Sequence, residues 1–165
     1  MKKIWLRNRR KYTLIDDDDF DRVKKYIWAM KPNGYAYRTS KSIYLHRFIM
    51  RANIGQYVDH INGKPLDNQK HNLRFCSFQQ NTWNRHTKGT QGVSFTESKK
   101  WRAYIFVNKK QKWLGIYDKK EDALRAFNTA AVFYRGKYAF INKIPQGGSN
   151  GKEIKKSPNQ TSPQM

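Results

Sequence analysis

Lysine and arginine make up 34 of the 165 residues, whereas aspartate and glutamate make up only 12, which gives a formal net charge of +22. This excess constrains the chain more than any other feature of the sequence, because it is typical of a protein that binds a polyanion. Nucleic acid is the leading candidate for that partner. Basic residues are in excess in every part of the chain, which predicts an extended basic face rather than a short basic signal.

Several classes of protein are excluded by composition and pattern. Aromatic residues make up 15% of the chain, so wholesale disorder is not expected. No stretch approaches the roughly 18 apolar residues of a membrane span, so we expect no membrane partner. The basic N-terminus lacks the apolar region of a signal peptide, so we do not expect one there. The presence of only one cysteine fits a reducing, intracellular setting. Cys76 is the single cysteine, which excludes an intrachain disulfide and a CxxC zinc site.

The N-terminal third predicts a series of short elements. Asp16–Asp19 has two interpretations, a metal site or the acidic start of a helix; the second is favoured because acids stabilise a helix N-terminus. Pro32-Asn33-Gly34 is a turn signal. The predicted elements are a strand at Lys11–Ile15, a helix near Phe20–Trp28, a hairpin of Tyr35–Arg38 with Ser42–Leu45, and a short helix at His46–Ala52.

The region from Gly92 to Asn142 has a different pattern. Trp101–Val107 alternates, with Ala103 and Ile105 on one face and Arg102 on the other, which predicts a strand. Lys112–Tyr117 predicts a second strand after a polar turn. Asp118 and Glu121 have the spacing of a helix start, with Asp118 as the N-cap. The helix then has an apolar stripe and is expected to end at Gly136; the stripe comprises Ala123, Phe127, Ala130 and Ala131.

Residues 58–85 read VDHINGKPLDNQKHNLRFCSFQQNTWNR and contain the candidate catalytic residues. The long, gap-constrained pattern DHINGKPLDN, NLR and a following Asn resembles phage HNH homing endonucleases of the ββα-metal type. In that family two strands and a helix hold one divalent ion at the scissile phosphate. The resemblance implies His60 as general base, Asn72 as the residue that orients the His60 ring, and Asp59 and Asn81 as metal ligands. Ser77 is expected to cap the helix that contains Asn81.

The chemistry of phosphodiester hydrolysis fits these residue types. A neutral imidazole can accept a proton from water near pH 7. One carboxylate and one amide oxygen suit a hard ion, and Asn81, where many members have His, favours Mg²⁺ or Mn²⁺. Because adjacent strand residues point to opposite faces, Asp59 and His60 can converge only if the strand ends or twists there. The loop that contains Gly63 makes this possible.

Residues Gly92 to Asn142 resemble an AP2 DNA-binding domain through WLGIYD, the alanine spacing of the helix and GKYAFIN. The family folds as a three-stranded antiparallel sheet backed by one helix. The resemblance implies that the sheet face opposite the helix, with Arg102, Tyr104 and Trp113, enters the major groove of DNA. We also assign Lys112, Arg47 and Arg74 to the DNA-binding residues. The alternative for this region is a plain packing module.

Together these patterns predict an α+β protein with an HNH endonuclease domain at 1–88, an AP2-like domain at 89–142 and a disordered tail at 143–165. The expected function is metal-dependent cleavage of double-stranded DNA by a phage mobile-element nuclease. The alternative is a DNA-binding regulator with an inert HNH scaffold. We expect a monomer, with a dimer as the alternative, no small-molecule cofactor, and a location in the cytoplasm or nucleoid of a bacterial host.

Overall fold

The computed structural model describes residues 1–8, 10–84 and 89–145, and nine strands and four α-helices lie within them. The mixture of short antiparallel sheets and helices confirms the predicted α+β class. In chain order the elements are β1 (Lys2–Trp5), β2 (Tyr12–Ile15), α1 (Asp17–Val23), β3 (Trp28–Met30), β4 (Ala36–Arg38), α2 (Leu45–Ile49), β5 (Tyr57–His60), β6 (Leu73–Cys76), α3 (Phe78–Trp83), β7 (Val93–Phe95), β8 (Trp101–Val107), β9 (Lys110–Tyr117) and α4 (Lys120–Arg135).

The first hydrophobic core lies among the elements from β1 to β6. Three two-stranded sheets pair β1 with β2, β3 with β4, and β5 with β6. The side chains buried in this core include Ile15 of β2, Trp28 of β3 and Leu45 of α2, none more than 1% exposed. The Trp28 indole donates a hydrogen bond to the Val23 carbonyl at 2.9 Å, which satisfies its polar atom inside the core.

The second core lies between one antiparallel sheet, with strand order β7-β8-β9, and α4. The alternation predicted for β8 is confirmed, because Ala103 and Ile105 are buried and Arg102 is exposed. The apolar stripe of α4 is also buried, and α4 ends at Gly136, whose φ is +53°. Ile144, in the predicted disordered tail, packs against this core, whereas residues 146–165 of that tail lie outside the described residues. No helix in the described part of the chain has the length and apolar character needed to cross a membrane.

The prediction of a helix near Phe20–Trp28 is wrong at its C-terminal end. The helix α1 ends at Val23, and Trp28 begins β3. The predicted hairpin of Tyr35–Arg38 with Ser42–Leu45 is confirmed, because Tyr37 and Tyr44 form an antiparallel bridge and the Arg38 amide donates to the Ile43 carbonyl at 2.8 Å. The sequence did not predict that β4 also pairs with β3 across the turn at Gly34. The burial of Trp28 in the first core accounts for the early end of α1.

The start of α4 differs from the prediction as well. The N-cap is Lys119, and no side chain caps the helix there. Asp118 instead lies 3.1 Å from Lys100 in an exposed ion pair. Because Lys100 precedes β8, this ion pair holds the Asp118 carboxylate beside β8. It therefore does not accept a hydrogen bond from the first backbone amides of α4.

The acidic run at residues 16–19 lies at the start of α1, as the helix interpretation predicts. Asp19 is 3% exposed and pairs with Arg22 at 2.6 Å and Lys70 at 3.1 Å. Asp16 accepts a hydrogen bond from the Lys70 backbone at 2.7 Å. Among the described residues, no three His, Cys, Asp or Glu side chains are grouped to hold a metal ion. The run therefore attaches α1 to the segment that precedes β6.

Gly92 and Gly89 provide a test of the second core. Gly92 has φ +62°, and a Cβ there would overlap the Phe127 ring and the Tyr104 carbonyl oxygen, whereas Gly89 has φ +91° and open space around it. We expect Gly92→Ala to lower the free energy of unfolding by about 3 kcal/mol or more, because overlap with backbone adds to backbone strain. Gly89→Ala should cost only about 1 kcal/mol. Urea denaturation measures both, and equal midpoints would contradict this packing.

Candidate active site

The candidate site is built on β5, β6 and α3. The antiparallel register places Asp59 opposite Arg74 and His60 opposite Leu73. After β6 the chain enters α3, where Ser77 accepts a hydrogen bond from the Gln80 backbone at 3.1 Å and the Gln80 side chain accepts one from the Ser77 backbone at 2.8 Å. This reciprocal capping confirms the predicted role of Ser77 and fixes where α3 begins.

A cleft of about 540 Å³ brings Asp59, His60 and Asn81 together; Asn84 and Tyr35 also line it. Asp59 and His60 reach the same cleft because β5 ends at His60. The chain turns directly afterwards, with the Gly63 amide donating to the His60 carbonyl at 3.0 Å. Three of the four residues predicted for catalysis and metal binding therefore converge in one place.

Asp59 is 8% exposed and is held by three hydrogen bonds to a single oxygen. Arg74 donates to Oδ2 from Nε at 3.0 Å and from Nη2 at 2.6 Å, and Asn84 donates to the same atom at 3.0 Å. Within the described residues, the hydrogen bonds and the ion pair of this carboxylate all use Oδ2. Oδ1 is therefore the oxygen that a cation in the cleft could share.

Arg74 does not lie on a free surface, contrary to its prediction as a DNA contact. Its side chain is only 12% exposed, and besides Asp59 it donates to the Lys137 carbonyl. Its guanidinium also lies 4.6 Å from the centre of the Tyr138 ring. The guanidinium compensates the buried carboxylate of Asp59, which would otherwise be costly to desolvate.

The His60 ring is oriented by Asn68. His60 is 4% exposed, and its Nε2 lies 3.2 Å from the Asn68 side-chain oxygen. The Asn68 amide nitrogen donates to the Thr13 hydroxyl at 2.7 Å, and that hydroxyl donates to the Leu66 carbonyl at 2.8 Å. Because these bonds fix which end of the Asn68 amide faces His60, Nε2 must donate its proton to Asn68 Oδ1. The remaining ring nitrogen, Nδ1, is then the basic one.

The prediction that Asn72 orients His60 is wrong. Asn72 is buried, but its side chain binds the loop after β5: Oδ1 accepts from the Asn62 backbone at 3.0 Å, and Nδ2 donates to the Asp67 carbonyl at 2.8 Å. Asn72 therefore shapes the loop that contains Asn68. Sequence reasoning missed Asn68 because its surroundings, Leu66-Asp67-Asn68, read as an ordinary turn.

A second histidine lies against His60. The centres of the His46 and His60 rings are 5.1 Å apart, and Tyr35 contacts both rings. Burial lowers the pKa of His60, an effect partly opposed by the hydrogen bond that the ring donates to Asn68 and by the charge of Asp59. Burial, with the nearby His60 and Arg47, lowers the pKa of His46 to about 3. Both rings are therefore neutral at pH 7, as a general base requires of His60.

The other predicted DNA contacts lie in different places. The Arg47 guanidinium binds the carbonyls of Asn53 and Gln56 and so stabilises the turn before β5. On the second sheet, Arg102, Tyr104 and Trp113 share the face opposite α4, where Trp113 pairs with Tyr104. Lys112 does not share this face: it pairs with the buried Ile105, and its Nζ lies 5.4 Å from the Tyr134 ring of α4.

Comparison with known proteins defines the class to which this fold and cleft belong. The chain is 31% identical over 147 residues to a protein of Acanthamoeba polyphaga mimivirus that is named an uncharacterized HNH endonuclease, L560; the match covers 84% of this chain and 78% of the viral protein. The chain therefore belongs to the HNH endonuclease family. No protein-family model and no solved structure matches it.

Two shorter matches concern parts of the chain. Protein 3.8 of Escherichia phage T7 is 35% identical over 63 residues, which is 34% of this chain and 52% of the phage protein. An AP2/ERF and B3 domain-containing protein of Oryza sativa subsp. japonica is 33% identical over 72 residues, which is 42% of this chain and 23% of the rice protein. The rice match is partial and supports an AP2-like region only weakly.

The buried His46 gives a testable dependence of stability on pH. A histidine whose pKa falls on folding resists protonation, so below pH 6.5 the unfolded chain binds more protons than the folded one. Stability should therefore fall as the pH decreases from about 6.5 towards 3, by at most about 1.4 kcal/mol per pH unit for His46. His46→Phe should weaken this dependence, measured by urea denaturation at several pH values. The same change at the exposed His71 should leave it unaltered, and an unaltered pH dependence in His46→Phe would contradict the burial of a neutral ring.

Proposed function

We propose that the protein hydrolyses phosphodiester bonds of double-stranded DNA, with His60 as general base and a divalent cation, Mg²⁺ or Mn²⁺, held by Asp59 and Asn81. The observation that supports this most is the convergence of these three residues in one cleft, with the tautomer of His60 fixed by Asn68. Membership of the HNH endonuclease family supports a nuclease, and such a nuclease implies DNA as partner.

The residues present fit a hard divalent cation. Asp59 has its second oxygen, Oδ1, outside the hydrogen bonds described above, and Asn81 offers an amide oxygen from α3. Oxygen donors of this kind are those that Mg²⁺ prefers. When bound, the cation would polarise the phosphate and stabilise the leaving 3′ oxygen.

His60 would act on the attacking water. Its neutral Nδ1 can take a proton from the water as the oxygen bonds to phosphorus and the bond from phosphorus to the 3′ oxygen breaks. Asn68 stabilises the imidazolium that results, because its oxygen still accepts the Nε2 proton. Burial of the ring keeps it in the basic form before the reaction.

The sheet of β7, β8 and β9 would position the nuclease on duplex DNA. Arg102 is exposed on the face opposite α4, and its Nε donates to the Ser94 hydroxyl at 2.6 Å, which directs the guanidinium outwards. Trp113 and Phe106 are 57% and 51% exposed on the same face. The AP2 resemblance and the rice match support this reading role.

The biological setting belongs to the same proposal. The resemblance to phage mobile-element nucleases, with a partial match to a protein of Escherichia phage T7, favours a homing nuclease acting in a bacterial host. The proposal places one catalytic site, that of Asp59, His60 and Asn81, in each chain. A monomer would therefore nick one strand. A double-strand break would need a second chain or a second binding event by the same chain.

Replacement of His60 tests the nuclease proposal. We expect His60→Ala to lower the rate of plasmid nicking in Mg²⁺ by ~10²–10⁴, because the variant lacks the general base. DNA affinity should be unchanged, because His60 is neutral and the substitution removes no positive charge. His71→Ala, which removes an exposed histidine, should cut like the wild type. Normal cutting by His60→Ala, or wild-type cutting that persists in EDTA, would contradict the proposed chemistry. DNA binding without cutting in either Mg²⁺ or Mn²⁺ would favour the non-cleaving regulator.

Arg102 and Lys112 form a matched pair for testing the reading face. A duplex preferred by the wild type is first selected from a random pool, and affinity is then measured by fluorescence anisotropy for this duplex and a scrambled one. Arg102→Ala should weaken binding to the selected duplex by about 1–3 kcal/mol and relax its preference. Lys112→Ala removes the same charge from the opposite face and should affect both duplexes equally. If Lys112→Ala relaxes the preference for the selected duplex and Arg102→Ala does not, the face that contacts the bases is not the face of Arg102.

A further inference from the structure

A second concave surface lies beside the N-terminal hairpin. It has a volume of about 450 Å³, and its apolar lining residues are Trp5, Tyr12, Leu14 and Leu66. Its charged lining residues are the cations Arg10, Lys11 and Lys64 and one acid, Asp67. We call this surface the hairpin groove. No residue of it belongs to the catalytic cleft or to the sheet face of Arg102.

Two aromatic rings of the hairpin groove are held in position yet left exposed. Trp5 is 67% exposed and Tyr12 is 38% exposed, and their rings meet edge to face with centres 5.4 Å apart. The Lys3 ammonium lies 4.5 Å from the centre of the Tyr12 ring. Large aromatic rings beside cations offer the two contacts that bind a nucleotide, a flat surface for the base and positive charge for its phosphates.

The hairpin groove and the catalytic cleft lie on the two sides of one loop. Gly63 and Pro65 line the cleft, whereas Lys64 and Leu66 line the groove. The loop is attached to β2, because the Leu14 amide donates to the Leu66 carbonyl at 2.8 Å and the Asn68 amide donates to the Leu14 carbonyl at 2.8 Å. A DNA strand whose phosphate lies at His60 therefore has the groove within reach across the loop.

We propose that the hairpin groove binds a nucleobase of the DNA substrate, unstacked from the duplex near the phosphate that is cut. Because the planes of the Trp5 and Tyr12 rings are 71° apart, the base would stack on one ring and meet the other with its edge. The neighbouring phosphates would lie against Arg10, Lys11 and Lys64. The proposal rests on the proposed function in taking DNA as the substrate and in placing the phosphate that is cut at His60. Charge favours this occupant over an apolar peptide, since three cations and one acid line the groove together with its apolar residues. Stacking on aromatic rings compensates for the loss of stacking in the duplex.

Photocrosslinking tests the location directly. The full chain is irradiated in EDTA, so that no cutting occurs, with a duplex in which 5-iododeoxyuridine replaces thymidine. Mass spectrometry should find the crosslink on the peptide that contains Trp5 or Tyr12. Crosslinks confined to the peptides of the Arg102 sheet face would overturn the proposal.

Affinity measurements provide a second, independent test. Trp5→Ala and Tyr12→Ala should each weaken duplex binding in EDTA roughly 5- to 100-fold, without changing the salt dependence, since no cation is removed. Trp5→Phe should retain most of the affinity. The matched control is Phe133→Ala, which removes a 78% exposed ring from the far side of α4 and should bind like the wild type. Circular dichroism checks that each variant is folded.

The outcomes separate this proposal from the proposed hydrolysis. Binding and crosslinking through Trp5 without any cutting would contradict the nuclease chemistry and leave the groove supported. If Trp5→Ala and Tyr12→Ala cut DNA normally and bind it with unchanged affinity, the proposed binding of a base in the hairpin groove is overturned. The proposed hydrolysis is then unaffected. If Trp5→Ala changes the mass of the protein in solution by light scattering but not its DNA affinity, the groove is a protein contact, and the proposal is overturned.

Discussion

The hydrogen bonds that run from Thr13 through Asn68 to His60 determine what the candidate site can do. Thr13 and Asn68 are at most 1% exposed, so each polar atom in the series must find its partner within the protein. A single unpaired member would cost about 1–3 kcal/mol, which makes the series form as a unit. Since the Thr13 hydroxyl donates to Leu66, the direction of every later bond is set, and His60 has one possible tautomer. The basic nitrogen of the site is thus selected by a threonine in β2.

Arg74 holds Asp59 in position as Asn68 holds His60. It also contacts the segment that follows α4. One guanidinium binds the carboxylate of the cleft, the Lys137 carbonyl and the Tyr138 ring. The Tyr138 hydroxyl in turn donates to the Phe75 carbonyl at 3.2 Å. The proposed metal ligand and the segment after α4 therefore share one partner, so the sheet that would read DNA is connected to the site that would cut it.

Patterns that depend on neighbouring residues were predictable from the sequence. The alternation of β8, the apolar stripe of α4 and the capping by Ser77 each depend on spacing within a few residues, and all three are present. The convergence of Asp59, His60 and Asn81 followed from the long motif. The role of Asn72 did not, because choosing between two asparagines of one loop requires knowing that Thr13 lies beside Asn68.

Tertiary packing also overrode local pattern at particular residues. Trp28 fits the end of a helix by spacing, but its indole fills the first core from β3. Arg47 and Arg74 look like free cations in the sequence, yet their donors bind carbonyls and a carboxylate of the chain itself. A basic residue gives no local sign of an internal acceptor, so in a chain of charge +22 the cations that face DNA cannot be separated from those used internally.

The long separation between Thr13 and Asn68 has a consequence for the chain entropy that the candidate site costs. Their hydrogen bond closes a loop of 55 residues, and the entropy of that closure must be offset before the ring of His60 is held. The strands β8 and β9, in contrast, pair across a turn of two residues, Asn108 and Lys109. Contacts of short separation cost less chain entropy to close. The sheet proposed to bind DNA is therefore held by contacts between neighbouring segments, whereas the orientation of the proposed base depends on a contact between distant parts of the chain.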